Sequence, residues 1–240
     1  MMLIDARGLD HRTLNDMIRS SGGKCSLEGC CGQRFIAAGM SGCDITVSGV
    51  PGNALGAYLN GGTITVTGNA QDAVGDTMNA GTIVIHGSIG DAAGYGMRDG
   101  RIYVRGNAGY RAGIHMKQYA GSVPVLVIGG RAGSFLGEYQ AGGVIIVLGL
   151  ETSGERIVGD FPGTGMHGGV MYLRGSCDGV NFPGQVRVRT ADEEDMLRLR
   201  GYLTDYAAVF GLDPKALVSE SFTVVTPDST NPYRQLYVAN

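Results

Sequence analysis

The chain has 240 residues, 43% apolar and 17% charged, with a net charge of -3. That is enough to build a sizeable core under a lightly charged surface, and it argues against a nucleic-acid or anionic-membrane partner, which would call for a basic face. Its 42 glycines lie far above the roughly 7% of ordinary proteins.

The chain opens with Met-Met-Leu-Ile-Asp-Ala-Arg-Gly. No basic stretch followed by an apolar core is visible, so no signal peptide and a cytoplasmic location are expected. Asp10 or Thr13 is positioned to cap a short helix that carries Leu14, Met17 and Ile18 on one face and ends at Ser21-Gly22-Gly23. Residues 1–23 therefore read as a helical cap over the end of a longer, repetitive segment.

The repeat is set by glycine. Gly49, Gly68, Gly87 and Gly106 stand 19 residues apart. Each is followed seven residues later by another glycine, namely Gly56, Gly75, Gly94 and Gly113. Gly62, Gly81 and Gly100 then precede short strands with alternating apolar pairs, Ile64/Val66, Ile83/Ile85 and Ile102/Val104. A fixed period of this length marks a solenoid. Strands this short bury an apolar face only by stacking, about 4.8 Å apart, so that each finds backbone partners above and below. The fold class is all-β, a single-stranded right-handed parallel β-helix of about seven layers.

Counting back 19 residues from Gly49 reaches Cys30, and Ile45/Val47 then fall on the strand pair. In the same frame Met40, Leu59, Met78, Met97 and Met116 form a row. A methionine row suggests a soft metal, but Leu59 substitutes within it, so core packing is the simpler reading. The fourth glycine coil carries extra residues around Lys117–Ser122, so that its strand pair arrives late, as Leu126/Ile128. Ile145/Val147 come next in frame, and a second insertion spans about Leu150–Arg156. The frame resumes at Gly163 with Met171/Leu173, and Val186–Val188 reads as a last layer. The longest apolar runs, Val123–Ile128 and Val144–Leu148, are far too short to cross a bilayer.

From Thr190 the pattern changes. Thr-Ala-Asp-Glu-Glu-Asp reads as a helix start with a capping hydroxyl, and the apolar face runs to Phe210, where Gly211 and Pro214 end it. Ser221–Thr226 reads as a strand and Pro227–Asn240 as an extended tail. The domain boundaries are thus 1–23 for the cap, 24–190 for the β-helix and 191–240 for the helix and tail.

Few residues suggest chemistry. Cys25, Cys30, Cys31 and Cys43 have a spacing like that of a metal or iron–sulfur set, with Cys177 far away. Yet Cys30 and Cys43 stand where other coils have turn glycines, so buried thiols are the simpler reading. His11, His86, His115 and His167 share no repeat position, although His115 and His167 lie near the two insertions and could approach each other. Asn53, Asp72, Asp91 and Asp160 share one position, as a cation row or as Asx side chains bonding turns. Gly94-Tyr-Gly96 and Gly129-Gly130 have no strand–loop–helix unit around them and do not read as nucleotide loops. No catalytic, cofactor-binding or metal-ligating residue is assigned.

The glycine repeat with I-x-V strands resembles the GXGXG β-helix domain at the C-terminus of the glutamate synthase large subunit. The likeness covers about residues 3–190. Ile4-Asp5-Ala6-Arg7-Gly8 followed by Leu14-Asn15 resembles the archaeal-type form, in which this domain is a separate polypeptide. The same repeat occurs in one of the structural subunits of formylmethanofuran dehydrogenase. The resemblance implies a non-catalytic subunit with no cofactor of its own. Its implied partners are a glutamine amidotransferase subunit and a flavin/iron–sulfur subunit, with a homodimer also open and neither nucleic acid nor membrane among them. The 150–156 insertion and the segment beyond 190 depart from the family pattern. A stand-alone lyase or acyltransferase is disfavoured, because the chain lacks a basic cleft signature and a six-residue period.

Overall fold

The computed structural model of the protein describes residues 1–150, 152 and 154–229. The chain begins with strand β1 (Met2–Asp5), helix α1 (His11–Ser20) and strand β2 (Lys24–Cys31). One strand per coil comes next: β3 (Cys43–Val50), β4 (Asn60–Val66), β5 (Ala80–Ile85), β6 (Arg101–Val104), β7 (Val125–Ile128), β8 (Ala141–Val147) and β9 (Gly168–Arg174). After β10 (Val186–Thr190) come helices α2 (Glu193–Phe210) and α3 (Pro214–Leu217), and then β11 (Phe222–Pro227). All eleven strands belong to one sheet, in the order β1 through β9, then β11, then β10.

Strands β1 to β9 pair in parallel, and the apolar rows stack in register. Ile45, Ile64, Ile83, Ile102, Leu126, Ile145 and Met171 form one ladder, and Val47, Val66, Ile85, Val104, Ile128, Val147 and Leu173 the other. Both ladders are buried. The all-β parallel solenoid expected from the 19-residue period is the fold. A second column of single bridges runs from Ala70 through Ile89, Ala108 and Ala132 to Val158 and closes another wall of the core. The row that begins at Met40 lines the same core and continues past Met116 through Gln140 to Met166. Gln140 is fully buried there, and its Nε2 donates to the carbonyls of Gly142 and Gly143, both at 3.1 Å.

The parallel stack begins with β1 and β2, ahead of the first strand of the glycine repeat, and its eight steps of about 4.8 Å span roughly 38 Å. Residues 1–23 thus carry strand β1 as well as the cap helix. Two sequence expectations need correction. Val186–Val188 does not stack on β9. Strand β11 inserts between them, antiparallel to both, with Val225 against Met171 and against Val188. The cap of α2 is not the Thr190 hydroxyl. Asp192 accepts from the Asp195 amide while the Asp195 carboxylate accepts from the Asp192 amide, a reciprocal box that satisfies two end donors. At the chain start, Asp10 is the α1 cap, accepting from the Arg12 and Thr13 amides. The tail beyond Ser229 lies outside the described residues.

Each coil turns through alternate residues with positive φ. In the coil from Gly49 these are Ala54, Gly56 and Tyr58; in the next, Ala73, Gly75 and Thr77. The first and third positions accept many residue types, including Phe35, Arg111, His115, Phe135 and Tyr139. A side chain there is strained by about 1–3 kcal/mol and persists only where the surroundings over-determine the backbone. Neighbouring coils supply that constraint. Ala73 N–H donates to the Asp91 carbonyl of the following coil at 2.8 Å, and Thr77 N–H to that of Tyr95 at 2.7 Å. The Gly75 N–H points the other way, to the Leu55 carbonyl, at 2.8 Å. At this middle position glycine also makes room: a Cβ on Gly75 would lie 2.5 Å from Cδ1 of Ile102 in the strand ladder.

Helix α2 packs on the outer face of β5–β9. Val84, Tyr103, Val127, Ile146 and Tyr172 point outward from the sheet and pack with Leu199, Leu203 and Tyr206 in a second core. Tyr206 donates its hydroxyl to the Val104 carbonyl at 3.0 Å, and its ring meets Tyr103 edge-on at 5.9 Å. Burial pushes the Tyr103 phenol up to about 12.

Candidate functional site

The residues considered as ligands are spread along the solenoid. Cys25, Cys30 and Cys43 are buried, and burial pushes all three thiols up, that of Cys30 to about 11. A thiol kept protonated is a poor metal ligand. Cys30 and Cys43 pair in register with Gly49 and Gly62, so they are small residues at corners, as expected. Cys31 differs in being exposed, and Cys177 is half-buried, its thiol also pushed up by burial. Among the described residues, no three acidic, Cys or His side chains cluster as a metal site.

The histidines hold rings rather than each other. His115 stacks on Tyr139 at 5.1 Å and 9° and meets Tyr95 at 5.7 Å. His167 instead sets Nδ1 3.2 Å from the Gly165 carbonyl. His11 packs near Phe35, and His86 edge-on to Phe210. The contacts of His115 and of His167 are thus with separate partners rather than with each other.

The Asx row binds backbone. Asp72 Oδ1 accepts from the Asp91 amide at 2.9 Å, and Asp91 Oδ1 from the Tyr110 amide at 2.8 Å. Asn53 Oδ1 accepts from the Asp72 amide at 3.3 Å. Each side chain thus clips its coil to the following one rather than bonding its own turn. A second row, not among the candidates from sequence, does the same through Asn69, Ser88 and Asn107. The spacing of these residues, one per coil, was the available signal. Asp160 departs from its row: it pairs with Arg156 and accepts from Asn181, and those bonds outweigh desolvation to hold its carboxyl below the usual range.

Two surfaces remain as sites. The first is the turn edge of the solenoid. Aromatic side chains stack between its coils, with Tyr95 and the positive-φ residues His115 and Tyr139 in one column and the positive-φ residues Phe135 and Phe161 in another, 5.6 Å between centroids. The Arg111 guanidinium lies 5.0 Å from the Phe135 ring and pairs with Glu138 at 2.9 Å. Tyr58 and Tyr110 on the same edge are 55% and 54% exposed. Exposed aromatics on a rigid ladder are contact surface with little ordering entropy left to lose.

The second is a groove of about 420 Å³ between α2, the strand starts of β8 and β9, and Gln118 in the first insertion. That insertion is a tight turn, bridged from Tyr119 to Ser122, with Tyr119 82% exposed. In the second insertion the described residues make polar contacts: Thr152 Oγ1 donates to the Gly149 carbonyl and Arg131 pairs with Glu155. On the floor of the groove Asp195 is nearly fully buried and ion-paired with Arg189. Desolvation alone would raise its pKa, but the Arg189 and Asp192 bonds together outweigh it and hold the carboxyl below the usual range. Burial first, and then the Asp195 charge, push the Tyr172 phenol up, and its hydroxyl lies 3.4 Å from Asp195. Both Asp195 oxygens are engaged. The cluster therefore anchors α2 to the sheet. No helix among the described residues is long and apolar enough to cross a membrane.

The N-terminal motif has a structural meaning. Asp5 and Arg7 form an ion pair, and the Arg7 side chain lies over Gly29, where a Cβ would come within 2.6 Å of its Cγ. Asn15, buried on α1, accepts from the Ala37 amide at 2.9 Å and donates to the His11 carbonyl at 2.8 Å. It thereby fixes the helix to the first positive-φ turn. Apolar spacing alone places only Leu14, Met17 and Ile18 on that face, and so misses this polar contact.

These features agree with the comparisons to known proteins. The model of the GXGXG motif family matches residues 9–230, and the chain belongs to that family. It is 42% identical over 250 aligned positions to the uncharacterized protein MJ1350 of Methanocaldococcus jannaschii, covering 98% of this chain and 96% of that protein. Its fold matches a chain of the formyltransferase/hydrolase complex FhcABCD from Methylorubrum extorquens, solved in complex with methylofuran. The TM-score is 0.67 at 22% identity, over 92% of this chain and 89% of that one.

Proposed function

We propose that this member of the GXGXG family is the non-catalytic β-helix subunit of a cytoplasmic, multi-subunit glutamate synthase. In this reading it holds a glutamine amidotransferase subunit and a flavin/iron–sulfur subunit in fixed relation and carries no cofactor itself. The observation that carries the reading is the exposed aromatic edge, a stacked surface on a scaffold whose own polar groups are spent on holding coils together. The N-terminal Ile4-Asp5-Ala6-Arg7-Gly8 and Leu14-Asn15 support glutamate synthase over other users of the repeat. A second reading, a structural subunit of a formylmethanofuran dehydrogenase or formyltransferase complex, is favoured by the fold match to a chain of such a complex.

A tagged pull-down from native cells, with co-purifying chains identified by mass, tests both. Recovery of an amidotransferase and a flavin/iron–sulfur subunit, with glutamine-dependent glutamate formation, supports the first reading. Recovery of molybdenum or tungsten enzyme subunits, or of a formyltransferase, supports the second. A chain that elutes without partners sinks both. The paired change Tyr95→Ala and Tyr139→Ala is expected to release the partner while leaving the fold intact.

A further inference from the structure

The sheet has two ends, and they are treated differently. At one end β10 pairs, among the described residues, only with β11, and its side chains include Arg187 and Arg189. Both are tied down, Arg187 to Asp228 and Arg189 to Asp195 and Asp192. Charged side chains along an edge strand are a common guard against further pairing. At the other end, among the described residues, β1 pairs only with β2. The Ala6 amide donates to the Glu28 carbonyl of the β2 side. A parallel strand directs its backbone groups alternately to either side, so those of Leu3 and Asp5 face away from β2. The Arg7 amide agrees with this alternation, since it turns to the Asp5 carboxylate at 3.1 Å. Beside this open row Leu3 is 61% and Met1 80% exposed, and neither lysine nor proline lies within β1. Helix α1 covers the core end with Leu14 and Ile18, and no strand among the described residues pairs with this edge.

We propose that the free edge of β1 is a self-association site, where β1 of a second copy of this chain pairs antiparallel across a two-fold axis. Antiparallel pairing of a strand with its own image uses the same donors and acceptors on both copies and closes the contact at two. With Leu3 on the axis, the two exposed leucines meet across the strands and the open groups of Leu3 and Asp5 are used on both copies. The charge pattern selects a second copy rather than a strongly charged partner. The ionisable side chains of residues 1–20 balance, Asp5, Asp10 and Asp16 against Arg7, Arg12 and Arg19, while the chain as a whole carries -3. Two such sets of side chains meet without net like-charge repulsion.

The test is the solution mass of the full chain by light scattering, with hydrogen exchange at Leu3 and Asp5. The wild type is expected at twice 25.0 kDa, about 50 kDa, with both amides protected. Leu3→Lys, which places a cation on the edge, is expected to halve the mass and expose both amides while thermal stability is unchanged. Leu3→Pro, which removes an outward donor and leaves the β2 pairing intact, is expected to do the same. A wild type that stays at 25.0 kDa at its highest soluble concentration, or a dimer that survives Leu3→Lys, overturns the proposal. The result does not depend on which enzyme the chain serves.

Discussion

Among the described residues, the outer face of the sheet is bare over β3 and β4 and covered over β5–β9, and the strand sequences differ accordingly. In β3 and β4 the residues alternate, Ile45-Thr46-Val47 and Ile64-Thr65-Val66, with the threonines turned outward. From β5 onward the alternation is lost: Thr-Ile-Val-Ile, Arg-Ile-Tyr-Val, Val-Leu-Val-Ile and Val-Ile-Ile-Val. A strand that is apolar on both faces must be covered on both, and α2 is the cover. The first half of the solenoid thus rests on one core and the second half on two. Sequence periodicity along the strand, rather than the coil repeat, separates them.

The largest predicted effect comes from that difference. Tyr206→Ala removes a buried ring and its bond to the Val104 carbonyl and is expected to destabilise by about 3–5 kcal/mol. Thr65→Ala, on the open half, is expected to stay within about 0.5 kcal/mol. Chemical denaturation of both variants checks the pair. Equal losses would mean that α2 is not integral to the second half.

Next in size is a contrast within the glycine rows. Gly75 and Gly94 occupy the same repeat position and both have positive φ, at 67° and 68°. Their surroundings differ. A Cβ on Gly75 would press on Ile102, whereas one on Gly94 would lie 3.8 Å from its nearest neighbours. Valine at Gly75 therefore adds overpacking to backbone strain, about 2–4 kcal/mol together, while at Gly94 a larger share is strain alone. A Gly94→Val protein that melts below Gly75→Val would show that the backbone, not the core, sets the demand for glycine.

The rows were legible in the sequence because one coil buries what the next coil buries. Ile64, Ile83 and Ile102 had to agree, and they do. The turns were half legible. The middle glycine shows because the turn there needs a positive φ and, as at Gly75, the core often leaves no room for a side chain, although Ala37 fills the position in the first coil. The flanking positive-φ positions do not show, since Tyr58, Thr77 and His115 all occupy them and the constraint comes from carbonyls in neighbouring coils. The place of α2 has a signal in the loss of alternation after Ile83, but Val123–Ile128 and Val144–Leu148 hide it when their length is measured only against a bilayer. The insertion of β11 beside β9 had no local signal, because Phe222–Pro227 would suit either edge. Of the candidate surfaces, the aromatic columns were invisible: Tyr95, His115 and Tyr139 stand at unequal spacings and meet only after the coil insertion at 117–122 is accommodated.

The third prediction concerns the junction between the N-terminal helix and the first coil. Asn15→Ala leaves the buried Ala37 amide without its acceptor, expected to cost about 1–3 kcal/mol. Asn15→Asp keeps an acceptor for the Ala37 amide but loses the donor to the His11 carbonyl, and is expected to fall between wild type and alanine. Hydrogen exchange at Ala37 reports this bond directly, and exchange unchanged in Asn15→Ala would remove the proposed link between the cap and the turn row.

The smallest effect separates the two ends of the molecule by pH. Asp195 has a carboxyl held below its ordinary range in the fold, so the folded state binds its proton less readily than the unfolded chain. The stabilisation from this group is therefore complete above its unfolded value of about 3.9 and is lost as pH falls through the lower folded value. Asp5 and Asp10, at the N-terminal end, are lowered to about 2, by their bonds to Arg7 and to Thr13 respectively. They titrate in the same acid range, but identically in wild type and in Asp195→Asn. The difference between the two melting curves thus isolates Asp195. Near neutral pH the variant is expected to melt lower, because Arg189 loses its charged partner and the Asp192 amide loses a carboxylate acceptor. As pH falls below about 4 the wild type approaches the variant and the gap closes. With no tryptophan in the chain, tyrosine fluorescence, to which the Tyr103–Tyr206 pair contributes, reports whether α2 leaves the sheet in that range. A gap that stays constant into the acid range would mean that the pair holds α2 by shape and hydrogen bonding rather than by charge, and the two ends of the molecule would then differ in packing alone.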